Sequence, residues 1–152
     1  MFAAETNTLA QARLEAVIPQ VLLYLKQKPE VYAVLWCGSA ARGEATPHSD
    51  LDFHVLISGI ERRRSNLLMD GVPVEFFYNP PAMIRQKFAQ MESATLAMYA
   101  EGKILWSHPD LEALQQEARA IYSAGRPAES LTQQQHFALL DQLVDCRALI
   151  GT

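Results

Sequence analysis

The chain has 152 residues, 49% of them apolar and 20% charged, with a formal net charge of −4. That is the size and composition of one ordinary domain with a sizeable core, and the negative balance argues against nonspecific nucleic-acid binding through bulk charge. The two cysteines, Cys37 and Cys146, make neither a disulfide framework nor a zinc pattern; with no secretory signal pattern and no apolar run near the roughly 20 residues of a membrane span, a soluble, cytoplasmic protein is expected.

Taken in chain order, Leu9, Ala12, Ala16 and Leu23 recur at helical spacing. They predict a helix from a cap at Thr6 or Thr8 towards Lys28, kinked or split at Pro19 and stopped by Pro29. VYAVLWC, residues 31–37, is β-branched and aromatic, the composition of a buried strand. Gly38 and Ser39 follow at once, Ser39 being suited to cap a short helix over residues 40–43. EATPHS then reads as a loop. DLDFHVLI, residues 50–57, is a second strand. Its alternation puts Leu51, Phe53, Val55 and Ile57 on one face and Asp50, Asp52 and His54 on the other.

After Gly59, ERRRS reads as a polar connection. NLLMDGVPVEFFY is a hairpin signal, because two apolar runs flank Asp70-Gly71, a favoured pair for a two-residue turn. Its second arm puts Val72, Val74, Phe76 and Tyr78 on one face and Pro73, Glu75 and Phe77 on the other. Helices are expected over residues 82–91, 93–101 and 110–123, with GKILWS as a short extended piece and GRPAES as a linker. A last helix over residues 132–150 carries Phe137, Leu140, Leu143, Val144 and Ile150. That apolar face is broad for a solitary surface helix, so it is expected to pack on a second copy, a helical protein partner or a further helical domain. The expected division is a core over residues 1–107 and a helical extension over 108–152.

Three carboxylates, Asp50, Asp52 and Glu75, thus point away from the apolar faces. The third joins the first two if the hairpin arm lies beside the second strand. Like charges gathered on a sheet repel unless a cation joins them. Carboxylate oxygens suit Mg²⁺, which is bound by a few carboxylates together with substrate phosphates, and two such ions can clamp an in-line displacement at phosphorus. The Gly-Ser pair supplies the other half. Gly38 lets backbone approach a phosphate, the helix start that follows offers free N–H groups, and Ser39 adds a hydroxyl.

GSAARGEATPHSDLDFHV, residues 38–55, resembles the signature of the polymerase-β-like nucleotidyltransferase superfamily, Gly-Ser-x-x-x-Gly-x(5)-Ser-Asp-x-Asp-x-x-Val. It looks most like the minimal nucleotidyltransferases of bacteria and archaea, with the aminoglycoside nucleotidyltransferases as more distant relatives. The resemblance implies an α/β (α+β) core, a small mixed sheet with helices on one face and an acidic face open to substrate. It implies transfer of a nucleoside monophosphate, AMP from ATP, to a hydroxyl on a small molecule or a protein, with two Mg²⁺ ions for which Mn²⁺ can substitute. Gly38 and Ser39 match the phosphate-binding pair, Asp50 and Asp52 the metal ligands, and Glu75 the third carboxylate, as ligand or general base. Some relatives resemble antitoxins that bind and modify a helical toxin partner, which is the alternative reading. Two positions depart from the pattern: Ala40 stands where many relatives have Arg, and His54 where an aliphatic residue is usual.

Other residues carry less. Arg42 can reach a phosphate or brace the loop, and Ser49 can fix the loop or a carboxylate. Arg62, Arg63 and Arg64 form a compact basic cluster that reads as a solvated loop. Met83, Met91 and Met98 read as core filler. His48, His108 and His136 have no ligand spacing for zinc.

Overall fold

The computed structural model describes residues 2–131. The predicted helix over residues 132–150, and Cys146 and His136 with it, lie outside the described residues.

The first helix, α1 (Phe2–Lys26), is continuous. Its buried positions Ala10, Leu14, Val17, Val21 and Leu25 fall three or four apart, one stripe of an amphipathic helix. It starts before Thr6 and Thr8, so neither is its cap, and Pro19 does not split it. Pro19 is exposed, so the carbonyl it leaves without a helical donor is on the side where water can bond it.

Five strands follow: β1 (Val31–Cys37), β2 (Leu51–Ile57), β3 (Arg63–Met69), β4 (Val72–Asn79) and β5 (Lys103–Trp106). They make one mixed sheet in the order β3-β4-β2-β1-β5. β1 pairs antiparallel with β2 and with β5, and β3 with β4, while β4 runs parallel to β2. The β3–β4 turn has Asp70 at φ 51° and Gly71 at φ 77°, both left-handed, as a tight two-residue hairpin requires. β3 begins at Arg63, inside the stretch expected to be a polar connection.

α2 (Pro81–Ala89) and α3 (Ser93–Glu101) precede β5, and α4 (Pro109–Leu131) follows it. α4 continues through GRPAES, so the expected linker is helical. The mixed sheet and its helices agree with the expected α+β core, but helices lie on both faces. α1 packs on the face of Val34, Phe53, Val55, Phe76 and Tyr78. Ile84 and Phe88 of α2, Leu96 and Tyr99 of α3, and Leu111, Leu114 and Ala118 of α4 pack on the face of Ala33, Leu35, Cys37 and Leu56. Each fully buried Leu or Val contributes roughly 1.5–3 kcal/mol of transfer free energy.

α4 is tied to α3 and the sheet by polar contacts as well. Gln115 donates to the carbonyls of Tyr99 (3.0 Å) and Gly102 (2.9 Å), which end α3 without a helical donor. Tyr32 on β1 donates to Asp110 at the start of α4, 2.8 Å away. Gly102 is required for space: a Cβ there would stand 2.7 Å from Leu35 Cγ and 2.8 Å from the Met98 carbonyl.

Candidate active site

β1 ends at Cys37, and Gly38 turns the chain at φ 90°, a left-handed conformation that favours glycine. Only a single 3₁₀ turn follows, Ala40–Arg42, so the helix dipole expected after the Gly-Ser pair amounts to one turn. Ser39 does not cap it through its side chain. Its Oγ lies instead 3.1 Å from Ser49 Oγ, and Ser49 Oγ accepts the Thr46 N–H at 2.9 Å. The hydroxyl pair thereby ties the Gly-Ser turn to the residue just before Asp50.

The rest of the loop is held by a residue that pattern reading missed. Gln11 on α1 donates to the Ala40 carbonyl at 2.8 Å and accepts the Ala45 N–H at 3.0 Å, bridging both ends of the 3₁₀ turn. A lone glutamine on an amphipathic helix gives no sequence signal. Arg42 pairs with Glu44 at 3.0 Å and with Glu101 at 3.7 Å, which braces the loop against α3.

Asp50 precedes β2, and Asp52 is its second residue. Across the sheet, Asp52 stands in register with Cys37 on β1 and with Glu75 on β4. Asp52 is 1% exposed. Among the described residues, neither of its carboxylate oxygens has a hydrogen-bond partner, and Oδ1 of Asp50 is likewise buried and unpaired. Burial, with the charges of Asp50 and Glu75 behind it, pushes the Asp52 carboxyl up to about 9. Burial and the charge of Glu75 push Asp50 up to about 6, although its own backbone N–H opposes this.

Glu75 is held differently. Arg64 on β3 donates to its carboxylate. As the side chains stand, no group of three or more His, Cys, Asp and Glu residues among the described residues could hold a metal ion. The donor set nonetheless fits a divalent cation. Buried carboxylate oxygens without partners, both of Asp52 and one of half-buried Asp50, are costly as structural groups, and a hard cation is what such oxygens bind.

His54, the next residue on the Asp52 face, is buried. It stacks on Phe77 at 4.9 Å, meets Tyr99 edge-on at 5.0 Å, and has Nε2 3.0 Å from Met98 Sδ of α3. Burial holds its ring in the neutral form, pushing the pKa down to about 3. His108 packs edge-on against Tyr32 at 4.5 Å, with Nδ1 3.8 Å from the Asp110 carboxylate.

A Gly-Ser turn at the end of one strand and an acidic pair at the start of the next, on a mixed sheet, define a nucleotidyl-transferring class of fold. The chain belongs to the nucleotidyltransferase domain family, whose model matches residues 18–119. Among solved structures it is similar to a nucleotidyltransferase-like protein from Exiguobacterium sibiricum 255-15, at 15% identity and a TM-score of 0.53. That match covers 70% of this chain and 38% of the other, so the chain spans well under half the length of that relative. It is also similar to a mutant of the MntA-HpeT toxin-antitoxin, at 17% identity and a TM-score of 0.43 over 83% of this chain and 96% of that one. A toxin-antitoxin solved with AMP-PNP matches at 16% identity and a TM-score of 0.43, over 83% and 97% of the two chains. No curated protein sequence matches the chain. Among the described residues, no helix is long and apolar enough to cross a membrane.

Proposed function

We propose that the chain is a Mg²⁺-dependent transferase that moves a nucleoside monophosphate, AMP from ATP, to a hydroxyl acceptor by two-metal in-line displacement. The observation that supports this above all is the state of Asp50 and Asp52. Asp52 is buried and Asp50 half-buried, three of their four carboxylate oxygens are buried without partners among the described residues, and both groups are pushed towards the neutral form. A fold that needed only structure from these positions would be better served by apolar side chains.

In this reading Asp50 and Asp52 hold the ions, and Glu75 completes the set or takes the acceptor proton. Divalent cations held there would neutralise charge on the phosphates and on the attacking oxygen. Gly38 leaves room for a phosphate to approach the backbone, and Ser39 and Ser49 offer hydroxyls beside it. The acceptor oxygen attacks the α-phosphorus, the bond from that phosphorus to the β-phosphate bridge breaks, pyrophosphate leaves, and the acceptor proton passes to Glu75.

The test is a melting-temperature series with ATP, with and without Mg²⁺ or Mn²⁺. Binding at 100 times Kd stabilises by about 2.7 kcal/mol, and Asp52→Asn should remove most of the metal-dependent part. Glu75→Gln should lower turnover more than nucleotide affinity. A metal-dependent shift that is unchanged in Asp52→Asn would overturn the assignment.

A further inference from the structure

The sheet face that carries Asp52 and Glu75 continues inward to a cavity of about 150 Å³. Its floor is His54 and Phe77, the next residues on that face of β2 and β4, in register and stacked at 18° between ring planes. One alternation along the strand separates His54 from Asp52, about 7 Å. Three cations and one carboxylate line the cavity: Arg62, Arg64, Lys87 and Glu92. Arg64 lies 4.9 Å over the Phe77 ring and is paired with Glu75. Lys87 is paired with Glu92 at 3.1 Å. Arg62 is exposed and forms no ion pair or hydrogen bond among the described residues, although its charge is felt by Glu92 and His54. Asn79 Oδ1, also in the lining, is buried and accepts no hydrogen bond among the described residues.

These features specify a ligand. The excess of cations, three against the one carboxylate of Glu92, repels a polycationic acceptor such as an aminocyclitol antibiotic and attracts an anion. The volume holds a small molecule, and the unused Asn79 carbonyl suits a hydroxyl or amide donor. Position matters as much. β2 lies between β1 and β4, so the Gly38-Ser39 turn reaches the carboxylates from the β1 side and the cavity from the β4 side. In-line displacement needs the acceptor and the leaving group on opposite sides of phosphorus.

We propose that this cavity is the acceptor subsite, and that it takes a small hydroxylated compound bearing a phosphate or carboxylate, its anion held by Arg62 and Lys87 and its hydroxyl turned towards Asp52 and Glu75. The inference rests on the nucleotidyl-transfer reading above.

Three hydroxylated anions, glycerol 3-phosphate, glycerate and ribose 5-phosphate, are titrated onto the full chain by saturation-transfer NMR, with glycerol and kanamycin as neutral and cationic controls. Mg·ATP affinity is measured separately by calorimetry. At least one anion is expected to bind, at least about tenfold more weakly to Arg62→Glu and Arg62→Ala, with Mg·ATP affinity unchanged in both. Arg62 is exposed and acts on Glu92 and His54 only through its charge, so neither change should affect folding. The proposal is overturned if none of the three anions binds, if kanamycin binds more tightly than they do, or if binding is indifferent to Arg62. It is equally overturned if Mg·ATP affinity falls as far as anion affinity in the Arg62 variants, which would give the cavity to the nucleotide. Arg62-dependent anion binding to a chain that binds no Mg·ATP would sink the nucleotidyl-transfer reading while keeping the anion site.

Discussion

Arg64 on β3 and Glu75 on β4 form an ion pair at the mouth of the acidic site, with the carboxylate side chain 15% exposed and the guanidinium side 63%. The pair occupies the one carboxylate that both aspartates feel as a charge: Glu75 raises Asp50 and Asp52, and Arg64 lowers Asp52. Arg64 therefore acts as an internal cation at a site whose chemistry calls for an external one.

Arg64→Ala should leave Glu75 free to join a divalent ion. A partly exposed ion pair is worth about 0.2–1 kcal/mol, so Mn²⁺ affinity measured by calorimetry should tighten by up to roughly fivefold. A weaker Mn²⁺ affinity in this variant would show that Arg64 supports the cation site instead of competing with it.

The pH dependence follows from the raised carboxyls. The unfolded chain loses these protons near pH 4, whereas the folded chain holds them to about 6 at Asp50 and about 9 at Asp52. Folded protein thus binds the extra protons, and stability without metal is greatest below pH 4 for these two groups and falls as pH rises through 6 and towards 9. Melting curves in chelator from pH 4.5 to 9 should slope downwards. Asp52→Asn should flatten the upper part and raise the melting temperature at pH 8, at about 3 °C per kcal/mol for a chain of this size. A wild-type curve that rises with pH over this range would contradict the buried, unpaired state of Asp52.

Gln11→Leu removes both hydrogen bonds that span the 3₁₀ turn, leaving the Ala45 N–H and the Ala40 carbonyl without that partner. The cost should be about 1–3 kcal/mol. If the loop positions phosphates, Mg·ATP affinity falls several-fold as well. A lower melting temperature with unchanged Mg·ATP affinity would limit Gln11 to stability.

Gly102→Ala places a methyl group against Leu35 and the Met98 carbonyl, where no space exists. Overpacking of this kind costs about 1–3 kcal/mol. Urea unfolding should show a lower midpoint with little change in slope, and a neutral result would mean that the α3–β5 junction relaxes freely.

Local pattern by itself determined a good deal. The β-branched run over Val31–Cys37 is β1 at the expected bounds, Asp70-Gly71 makes the tight turn, and alternation correctly put Asp52 and His54 on one face and Phe53 and Val55 on the other. The order of Gly38-Ser39 before Asp50 and Asp52 is itself a sequence property. These features depend on residues a few positions apart, where side-chain period and turn chemistry act.

What only tertiary structure decided depends on residues far apart. Insertion of β4 beside β2 set Glu75 opposite Asp52. The packing of α2, α3 and α4 covered a face that alternation could only mark as shared, burying Asp52 and His54 instead of leaving them open. The start of β3, residues 63–65, is polar and reads as a connection, yet it extends the hairpin arm because its ladder to β4 supplies the backbone partners and Arg63 can stack on Tyr78 at 4.2 Å while pairing with Glu30. A short window of sequence holds neither the partner strand nor the covering helix, and it is those that bury Asp52 and set Glu75 beside it.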